Sequence, residues 1–481
     1  MEFSTSNYLI GTFGFLILVT RLWVNYFSKT NVALRKVPGP FYARLTNLPL
    51  KIAVITGRRT FLVHELHQKY GPVVRVSPSE VSIVDAEACK TIHKAGSGFP
   101  KSPYYARFID KPVPTLFAMM GSKEHSERRR VFARAFSKTE IRSTWETMVK
   151  ETIELALDKI AGDLQSGKAD IMKWLLFMAT DVSGQLMFGE SFRTLENGEI
   201  NNYMKTLQMA GKGGIISEEL PLVGFLGYHL PIPAIRDVFR ANAKQTSLGE
   251  EAIENGIQNG TNKRSIFTQL DGDSGTLNRL DLSAEAGNFI LAGTDTTAFT
   301  LTCLLWAVLR HDSLRVAIEE EVAGLPDDFN DADVEALPLV GAIINEALRL
   351  YGPAAGSLPR IVKQGGAELG GYYIPEGVTV STQAFTLHRN EDFWPDAKRF
   401  DPSRWLGNSN QEAAKMAFAP FGTGPRVCIG IHLAQMEMRY TIALFFRRFK
   451  GARLAAECPM SLEFENYFLL KPKGKFNIVP T

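Results

Sequence analysis

The chain has 481 residues, of which 45% are hydrophobic and 22% are charged. These fractions are typical of a globular protein and exclude a disordered, collagen-like or multi-span membrane chain. With 54 basic and 51 acidic residues, the charge gives no electrostatic reason to expect nucleic acid as a partner. Four cysteines in a chain of this length make no disulfide framework, which indicates a reducing compartment and a buried, inert thiol as the default for each cysteine.

The N-terminal segment is apolar. Residues 3–20 carry no charge and would form a helix roughly 27 Å long, close to the roughly 30 Å hydrocarbon core of a bilayer. Arg21 could snorkel to the interface, so that the span covers residues 8–27. A cleaved signal peptide needs basic residues before the apolar run and small residues after it, whereas Glu2 precedes this run and large residues follow it. We therefore expect a single N-terminal transmembrane helix, with a signal peptide and a buried core helix as the alternatives.

The domain organisation follows from the residues after this span. Basic residues lie on its C-terminal side only, which predicts that the bulk of the protein is cytosolic. Pro38-Gly39-Pro40 cannot continue a helix and predicts a stiff exit from the membrane. Beyond it there is no linker, charge block, low-complexity tract or repeat. Although length alone would suggest two or three domains of roughly 150 residues, we expect a membrane anchor over residues 1–37 and one domain over residues 38–481.

Periodicity predicts a mainly α domain with a small β portion. Two β-branched runs, separated by Ser77-Pro78-Ser79, predict a hairpin over residues 70–84. Helical periods dominate from about residue 120, and the longest predicted helix runs from Leu282 to Leu309, with Asp281 or Ser283 as its cap. Residues 356–384 return to a strand-like pattern.

One cysteine stands in an unusual segment. Cys428 lies among glycines and prolines immediately before a helical pattern, so the helix dipole and nearby Arg426 would favour its thiolate form. No second cysteine or histidine stands at zinc-ligand spacing, because Cys458 is thirty residues away and His432 is four residues away. A single thiolate suits a metal whose other ligands come from a cofactor, namely haem iron, while a capping loop with a buried thiol is the alternative.

The spacing Phe-x-x-Gly-x-Arg-x-Cys-x-Gly resembles the haem-binding signature of the cytochromes P-450. It is met at Phe421, Gly424, Arg426, Cys428 and Gly430. The resemblance implies that Cys428 is the axial ligand of the haem iron, that Arg426 pairs with a haem propionate and that Phe421 packs beside the sulfur. At Gly424 and Gly430 a side chain would collide with the macrocycle or with the loop that carries the ligand.

Two further motifs resemble those of the same family. Glu346-Ala-Leu-Arg349, together with Arg404 in Phe400-Asp-Pro-Ser-Arg404-Trp405, is similar to the Glu-x-x-Arg network, which holds the cysteine loop; a solvated surface ion pair is the alternative for the first two residues. Ala292-Gly-Thr-Asp295-Thr296-Thr297 is similar to the oxygen-activation motif. The resemblance implies that Asp295 and Thr296 relay protons during dioxygen activation, whereas threonine back-bonding that bends the helix is the alternative.

Basic residues supply the remaining cofactor contacts that the resemblance implies. His125, Arg129 and Arg360 would reach the propionates, although many relatives carry Trp at the position of His125. A solvated basic face is the alternative. Arg128 and Arg130 lie off the haem side and could dock an acidic redox partner.

The resemblance covers nearly the whole chain and implies the single P-450 fold with haem b as the cofactor. The activity implied is that of a haem-thiolate monooxygenase that hydroxylates or epoxidises a lipophilic small molecule. Because no dinucleotide-binding glycine motif is present, we expect electrons from NADPH to arrive through a separate NADPH-cytochrome P-450 reductase, with cytochrome b5 as a second candidate donor. The expected location is the endoplasmic reticulum membrane, with a cytosolic catalytic domain. A P-450-fold isomerase or dehydratase that does not use dioxygen and a xenobiotic or fatty-acid hydroxylase are the alternatives.

Segments such as Tyr70-Gly-Pro-Val-Val-Arg75 and Gly356-Ser-Leu-Pro-Arg360 resemble fungal microsomal P-450s of secondary-metabolite pathways. The resemblance places Phe289, Ala292, Ser357 and Leu358 in the substrate pocket. Their side chains are mostly apolar, which favours a lipophilic substrate, although such residues could equally well belong to the hydrophobic core.

Overall fold

A computed structural model describes residues 20, 23–24, 26–105, 113–241, 265–267, 277–407 and 412–480. The helices are α1 Lys29–Ala33, α2 Leu48–Ile55, α3 Arg59–Tyr70, α4 Ala86–His93, α5 Ser122–Ala133, α6 Lys138–Glu140, α7 Glu146–Gln165, α8 Ile171–Phe188, α9 Thr194–Asn197, α10 Asn202–Glu219, α11 Pro221–His229, α12 Arg279–Leu309, α13 Asp312–Ala323, α14 Asp331–Glu335, α15 Pro338–Tyr351, α16 Ala384–Leu387, α17 Glu412–Ala417 and α18 Ile431–Arg448. The strands are β1 Val73–Ser77, β2 Glu80–Ile83, β3 Ala169–Asp170, β4 Ser357–Ile361, β5 Ala367–Leu369, β6 Tyr372–Ile374, β7 Thr379–Gln383, β8 Arg453–Leu454, β9 Phe464–Tyr467, β10 Leu469–Pro472 and β11 Asn477–Val479.

The long helix α12 forms the centre of the main hydrophobic core, together with α7, α8, α15 and α18. Its 31 residues are apolar on several faces, as expected for a helix that is surrounded by others. The predicted cap is wrong, because α12 begins three residues earlier, at Arg279. Asn278 is the N-cap, and its side chain accepts from the Asp281 N–H while the Asp281 carboxylate accepts from the Asn278 N–H. Asp281 is therefore the third residue of a capping box.

The β portion is small, and its largest sheet has the strand order β1-β2-β7-β4. The predicted hairpin is confirmed as the antiparallel pair β1 and β2. Strand β7 pairs in parallel with β2 and antiparallel with β4, which joins the N-terminal hairpin to the segment after α15. This sheet packs on its own smaller core and carries β4 toward the main helical core. The mainly helical fold with a minor β portion is thus confirmed.

Three of the four cysteines are buried, inert thiols, as expected by default. Cys89, Cys303 and Cys458 are buried, and burial raises the pKa of each thiol.

The predicted membrane span over residues 8–27 lies mostly outside the described residues and stays a prediction. Among the described residues, the helix segment Leu280–Leu309 is long and apolar enough to cross a bilayer, but 72% of its most apolar window is buried inside the protein. That segment belongs to the core helix α12.

Candidate functional site

The cysteine segment is a tight loop that enters helix α18. The Cys428 N–H donates to the Phe421 carbonyl over 2.9 Å, and the Gly430 N–H donates to the Cys428 sulfur. Gly424 has φ +67°, and a Cβ atom there would lie 2.0 Å from the backbone oxygen of His93. Glycine is therefore required at this position because the loop presses on the end of α4, a contact that the sequence interpretation did not include.

The thiol of Cys428 faces a space inside the domain. Its side chain is accessible, yet it lies deep within the protein, as expected of a group that lines an internal space. Burial raises the pKa of this thiol, while the Gly430 N–H and the guanidinium of Arg129 act in the opposite direction. Arg129 also donates to the Val427 carbonyl at 2.8 Å, so it is fixed beside the loop.

The Arg426 guanidinium, which the sequence analysis expected to act on the Cys428 thiol, binds backbone carbonyls instead. Its guanidinium donates to the carbonyls of Met119, Met120 and Gly121 at 2.5, 3.0 and 3.0 Å. These contacts tie the cysteine loop to the start of α5. The arginine that acts on the sulfur is Arg129 instead.

The residues predicted to hold the propionates form a cationic cluster, made of Lys101, His125, Arg129, Arg360 and Arg426. Burial together with these four cations lowers the pKa of His125 to about 3. Lys101 pairs with Arg360 across an isolated β-bridge, and its ammonium donates to the Phe117 carbonyl at 2.5 Å. Within the described part of the chain, none of the four cations forms a salt bridge with a carboxylate, and the buried Nε of Arg360 has no hydrogen-bond partner. Such a concentration of positive charge in the interior requires anions.

The redox-partner role predicted for Arg128 is wrong. Its guanidinium lies 2.7 Å from the Asp281 carboxylate and 3.4 Å from that of Glu285, and its side chain is only 13% exposed. These contacts join α5 to α12. Arg130 is exposed, so its docking role stays a prediction.

One stripe of α12 is accessible although the helix lies in the core. Asn288, Leu291, Ala292, Asp295 and Thr296 are exposed or half-buried, while most of their neighbours are buried. Their spacing of three and four residues places them on one face of the helix. The stripe therefore faces a space inside the domain.

The oxygen-activation motif lies on this stripe. Thr296 Oγ1 donates to the Ala292 carbonyl at 2.6 Å, and Thr300 and Thr302 make the same back-bond to the preceding turn. Thr297 points to the other side, where its hydroxyl donates to the buried carboxyl of Glu437 at 3.1 Å. Burial raises the pKa of Glu437 to about 8, so this contact between α12 and α18 involves a neutral acid at neutral pH.

The structure contradicts the pocket assignment of Phe289. This ring packs against Phe132 and Phe136 with centroid distances of 4.9 and 5.4 Å, in the contact between α5 and α12. Phe289 lies one residue off the accessible stripe, which turns its side chain by about 100°. Asn288 and Leu291, which the sequence interpretation missed, lie on the stripe and could have been found from the helical period counted back from Thr296.

The structure brings Glu346, Arg349 and Arg404 together. Arg349 donates to both carboxylate oxygens of Glu346 at 2.8 Å, and both side chains are fully buried. Arg404 Nε lies 3.4 Å from Glu346 Oε1. The Asp401 N–H and the Trp405 indole each donate to the same carboxylate at 2.9 Å. This is a buried network and not a solvated surface pair.

Two contacts connect this network to the cysteine segment, and both were missed from the sequence. Buried His388 bonds the Arg349 carbonyl through Nδ1 and accepts from the Ala419 N–H through Nε2, each at 3.0 Å. Trp405 packs on Phe418 with a centroid distance of 4.7 Å. His388 belongs to no short motif, and the motif that contains Trp405 does not indicate its contact with Phe418, so only the three-dimensional structure reveals the two contacts.

These residues fit a haem. Cys428 offers its sulfur as a ligand. Because burial raises the pKa of this thiol, the surroundings do not favour the thiolate as the sequence predicted, and the proton would leave when a metal binds. The accessible stripe of α12 lies on a neighbouring helix that Thr297 and Glu437 join to α18. The unpaired cationic cluster, with the orphaned Nε of Arg360, suits the two carboxylates that a haem carries. The fold and this site define a haem-thiolate protein.

Comparison with known proteins gives the family. The cytochrome P450 family model matches residues 38–478. The cytochrome P450 monooxygenase aflV of Aspergillus parasiticus is 39% identical over 473 residues, which cover 95% of this chain and 92% of that relative. The cytochrome P450 monooxygenase cypX of Dothistroma septosporum is 38% identical over 453 residues, covering 91% and 88%, and stcB of Emericella nidulans is 39% identical over 429 residues, covering 88% and 83%. The chain belongs to the cytochrome P450 family. The predicted function, a haem-thiolate monooxygenase of fungal secondary metabolism, is confirmed.

Proposed function

We propose that this monooxygenase is anchored to the endoplasmic reticulum membrane, takes electrons from NADPH through a separate reductase and hydroxylates or epoxidises a small molecule with a lipophilic part. The observation that carries the proposal is the combination of an accessible thiol on Cys428, a cationic cluster with no carboxylate partners among the described residues, and an accessible stripe on the core helix α12. Haem b bound there would supply the activation of dioxygen. The chain's own residues hold the cofactor, orient the substrate and handle protons.

The residues that hold the haem act from two directions. Cys428 would ligate the iron, with the Gly430 N–H tuning the sulfur. Arg360 and His125 would bind the propionates, with Lys101 as an additional donor. Arg129 and Arg426 already donate to backbone carbonyls, so they would hold the loop and add positive charge to the cluster.

Proton handling is assigned to Thr296 and Asp295. The only hydroxyl proton of Thr296 is donated to the Ala292 carbonyl, so its oxygen is left to accept a hydrogen bond from a group in the internal space. Asp295, half-buried and adjacent to it, is the acid that would restore protons to the site. Glycine at position 293 and the polar side chains around it interrupt an apolar helix at this level, which suits such a role.

Membrane attachment is supported by an exposed apolar surface outside the predicted N-terminal span. Leu222 and Phe225 of α11 are 70% and 62% exposed, and Leu48 and Ile52 of α2 are about half exposed. Lys51 of α2 donates to the Glu219 carbonyl at 2.6 Å, which brings α2 to the end of α10, where α11 begins. Exposed apolar groups gathered in this way are typical of a surface that enters a membrane.

The test uses an extract of a strain of the native host from which the gene is deleted. The purified protein, NADPH-cytochrome P-450 reductase and isotopically labelled dioxygen are added, and products are followed by mass spectrometry. We expect one new product that carries the label and forms only with NADPH. A product that forms without NADPH or without label would contradict the proposal and favour an isomerase or dehydratase.

A further inference from the structure

A second internal feature has a chemistry that the lipophilic-substrate expectation does not explain. A cavity of about 240 Å³ lies between α2, the start of α3, the β1–β2 turn, the end of α10 and the segment from Ala354 to Pro359. Its walls include Arg59, Glu80, Tyr104 and Asn466 beside a few apolar groups. An enclosed cavity of about 150 Å³ is enough to bind benzene, so this cavity, which is larger and partly open to solvent, has room for an aromatic ring with its substituents.

The cavity adjoins the catalytic site. Leu358 in its wall and Arg360 in the cationic cluster are two residues apart on β4, so their side chains lie on the same face of that strand. Phe468, also in the wall, contacts Phe117 edge to face with a centroid distance of 5.4 Å, and Lys101 of the cationic cluster lies 4.6 Å over the same Phe117 ring. A continuous wall therefore leads from the cavity to the haem side.

The charges in the wall are balanced. Its charged residues are Lys51, Arg59, Glu80 and Glu219, two cations and two anions. Arg59 donates through Nη2 to both oxygens of Glu80, at 2.8 and 3.1 Å. An anionic ligand would compete with Glu80 for Arg59 and meet the charge of Glu219, whereas a cation would meet Arg59. The cavity is therefore suited to a neutral molecule.

The cavity also offers hydrogen bonds. Within the described residues, Nη1 and Nε of Arg59 donate to no protein group, and Glu80 accepts from Arg59 and from Ser381 only, which leaves one lone pair free. The buried Ser357 hydroxyl, which belongs to the same wall, has no partner among the described residues. A buried hydroxyl such as that of Ser357 is costly unless it is paired.

We propose that this cavity binds the oxygen-rich, neutral end of the substrate, an aromatic ring with hydroxyl or carbonyl groups, while the lipophilic remainder extends toward the haem. A hydroxyl group can donate to Glu80 and accept from Arg59 at the same time, which an alkyl group cannot. This inference rests on the proposed function and narrows its substrate class.

The test measures binding to the haem-loaded enzyme by calorimetry, which is independent of turnover. Three probes share one skeleton: 4-hexylresorcinol is neutral and oxygen-rich, hexylbenzene is neutral and apolar, and 4-hexylbenzoate is anionic. For the unmodified enzyme we expect 4-hexylresorcinol to bind at least about tenfold more tightly than either other probe, because hydrogen bonds to charged groups discriminate by that much or more. Equal or tighter binding of hexylbenzene would overturn the inference.

The variant Glu80→Gln separates recognition from folding. It removes the anion beside Arg59, so we expect about tenfold weaker binding of 4-hexylresorcinol and tighter binding of 4-hexylbenzoate. If Glu80 had only a structural role, Glu80→Gln would weaken the binding of both probes alike, and that result would also overturn the inference. The matched control is Glu65→Gln on α3, the helix that carries Arg59; it breaks the exposed Arg58–Glu65 pair and should leave all three affinities unchanged. If labelled product forms with NADPH and these binding results fail, only this inference falls.

Discussion

Replacing Glu346 by alanine tests whether the buried network holds the cysteine segment. The change leaves the fully buried guanidinium of Arg349 without its carboxylate, although that group keeps its bonds to the carbonyls of His388, Ala397 and Arg399. It also removes the acceptor of the Asp401 N–H and the Trp405 indole. Breaking a buried pair costs about 3–5 kcal/mol, a large part of the about 5–15 kcal/mol that stabilises a typical protein.

The loss of haem follows from the geometry. Trp405 packs on Phe418, and Phe418 opens the segment that ends at Cys428, so the loop loses its support when the indole is released. We expect Glu346→Ala to yield protein without bound haem and with a markedly lower unfolding midpoint. The assay compares the Soret absorbance per protein with thermal unfolding followed by circular dichroism. The control Glu65→Ala, at an exposed pair, should change stability by less than about 1 kcal/mol. A full Soret band in Glu346→Ala would refute the reasoning.

Three further predictions follow from the same contacts. Arg128→Ala should lower the free energy of unfolding by about 3 kcal/mol, since it removes the guanidinium that contacts the Asp281 and Glu285 carboxylates of α12, without changing the affinity for the reductase; weaker reductase binding in a fully stable variant would be inconsistent with its burial. Burial lowers the pKa of His67 to about 4 and those of His93 and His388 to about 3, so below pH about 6.5 the unfolded chain takes up protons that the folded protein does not. The contribution of these three histidines to stability should therefore be constant above that pH and fall below it by about 1.4 kcal/mol per pH unit for each histidine. In denaturant unfolding, the stability of His93→Gln should decline less steeply on acidification than that of the unmodified protein; an unchanged decline would exclude this cause. Thr296→Ala should consume NADPH and release peroxide while forming less product, and assays of peroxide and product in the same reaction will detect this. An unchanged product yield would show that Thr296 has no role in proton transfer.

Local patterns predicted the elements better than the contacts between them. The hairpin was evident because its β-branched runs and turn residues are adjacent in sequence. The long helix was evident from its period. Its N-cap was misplaced because Asn278 and Asp281 both belong to the capping box, and both are residue types that can cap a helix. The face of Phe289 was misjudged because its hydrophobicity does not reveal which neighbour it packs against.

The site was predicted in its members and less well in its arrangement. Motif spacing indicated Cys428, Glu346 and Arg349, since each motif keeps its residues within one turn or one loop. The contact of Arg129 with the cysteine loop could not be seen, because Arg129 reaches that loop from α5, almost three hundred residues earlier in the chain. Lys101 and His388 were missed for the same reason, as their partners come from distant segments.

The central claim is that Cys428 is the thiolate ligand of a haem iron, and the absorption spectrum of the reduced carbon monoxide complex tests it most directly. We expect the unmodified protein to show the red-shifted Soret band that thiolate ligation produces, and Cys428→Ser to lose it. Variants that replace the buried Cys89, Cys303 or Cys458 by alanine should keep the band. A spectrum typical of histidine ligation, or a band that survives in Cys428→Ser, would contradict the account.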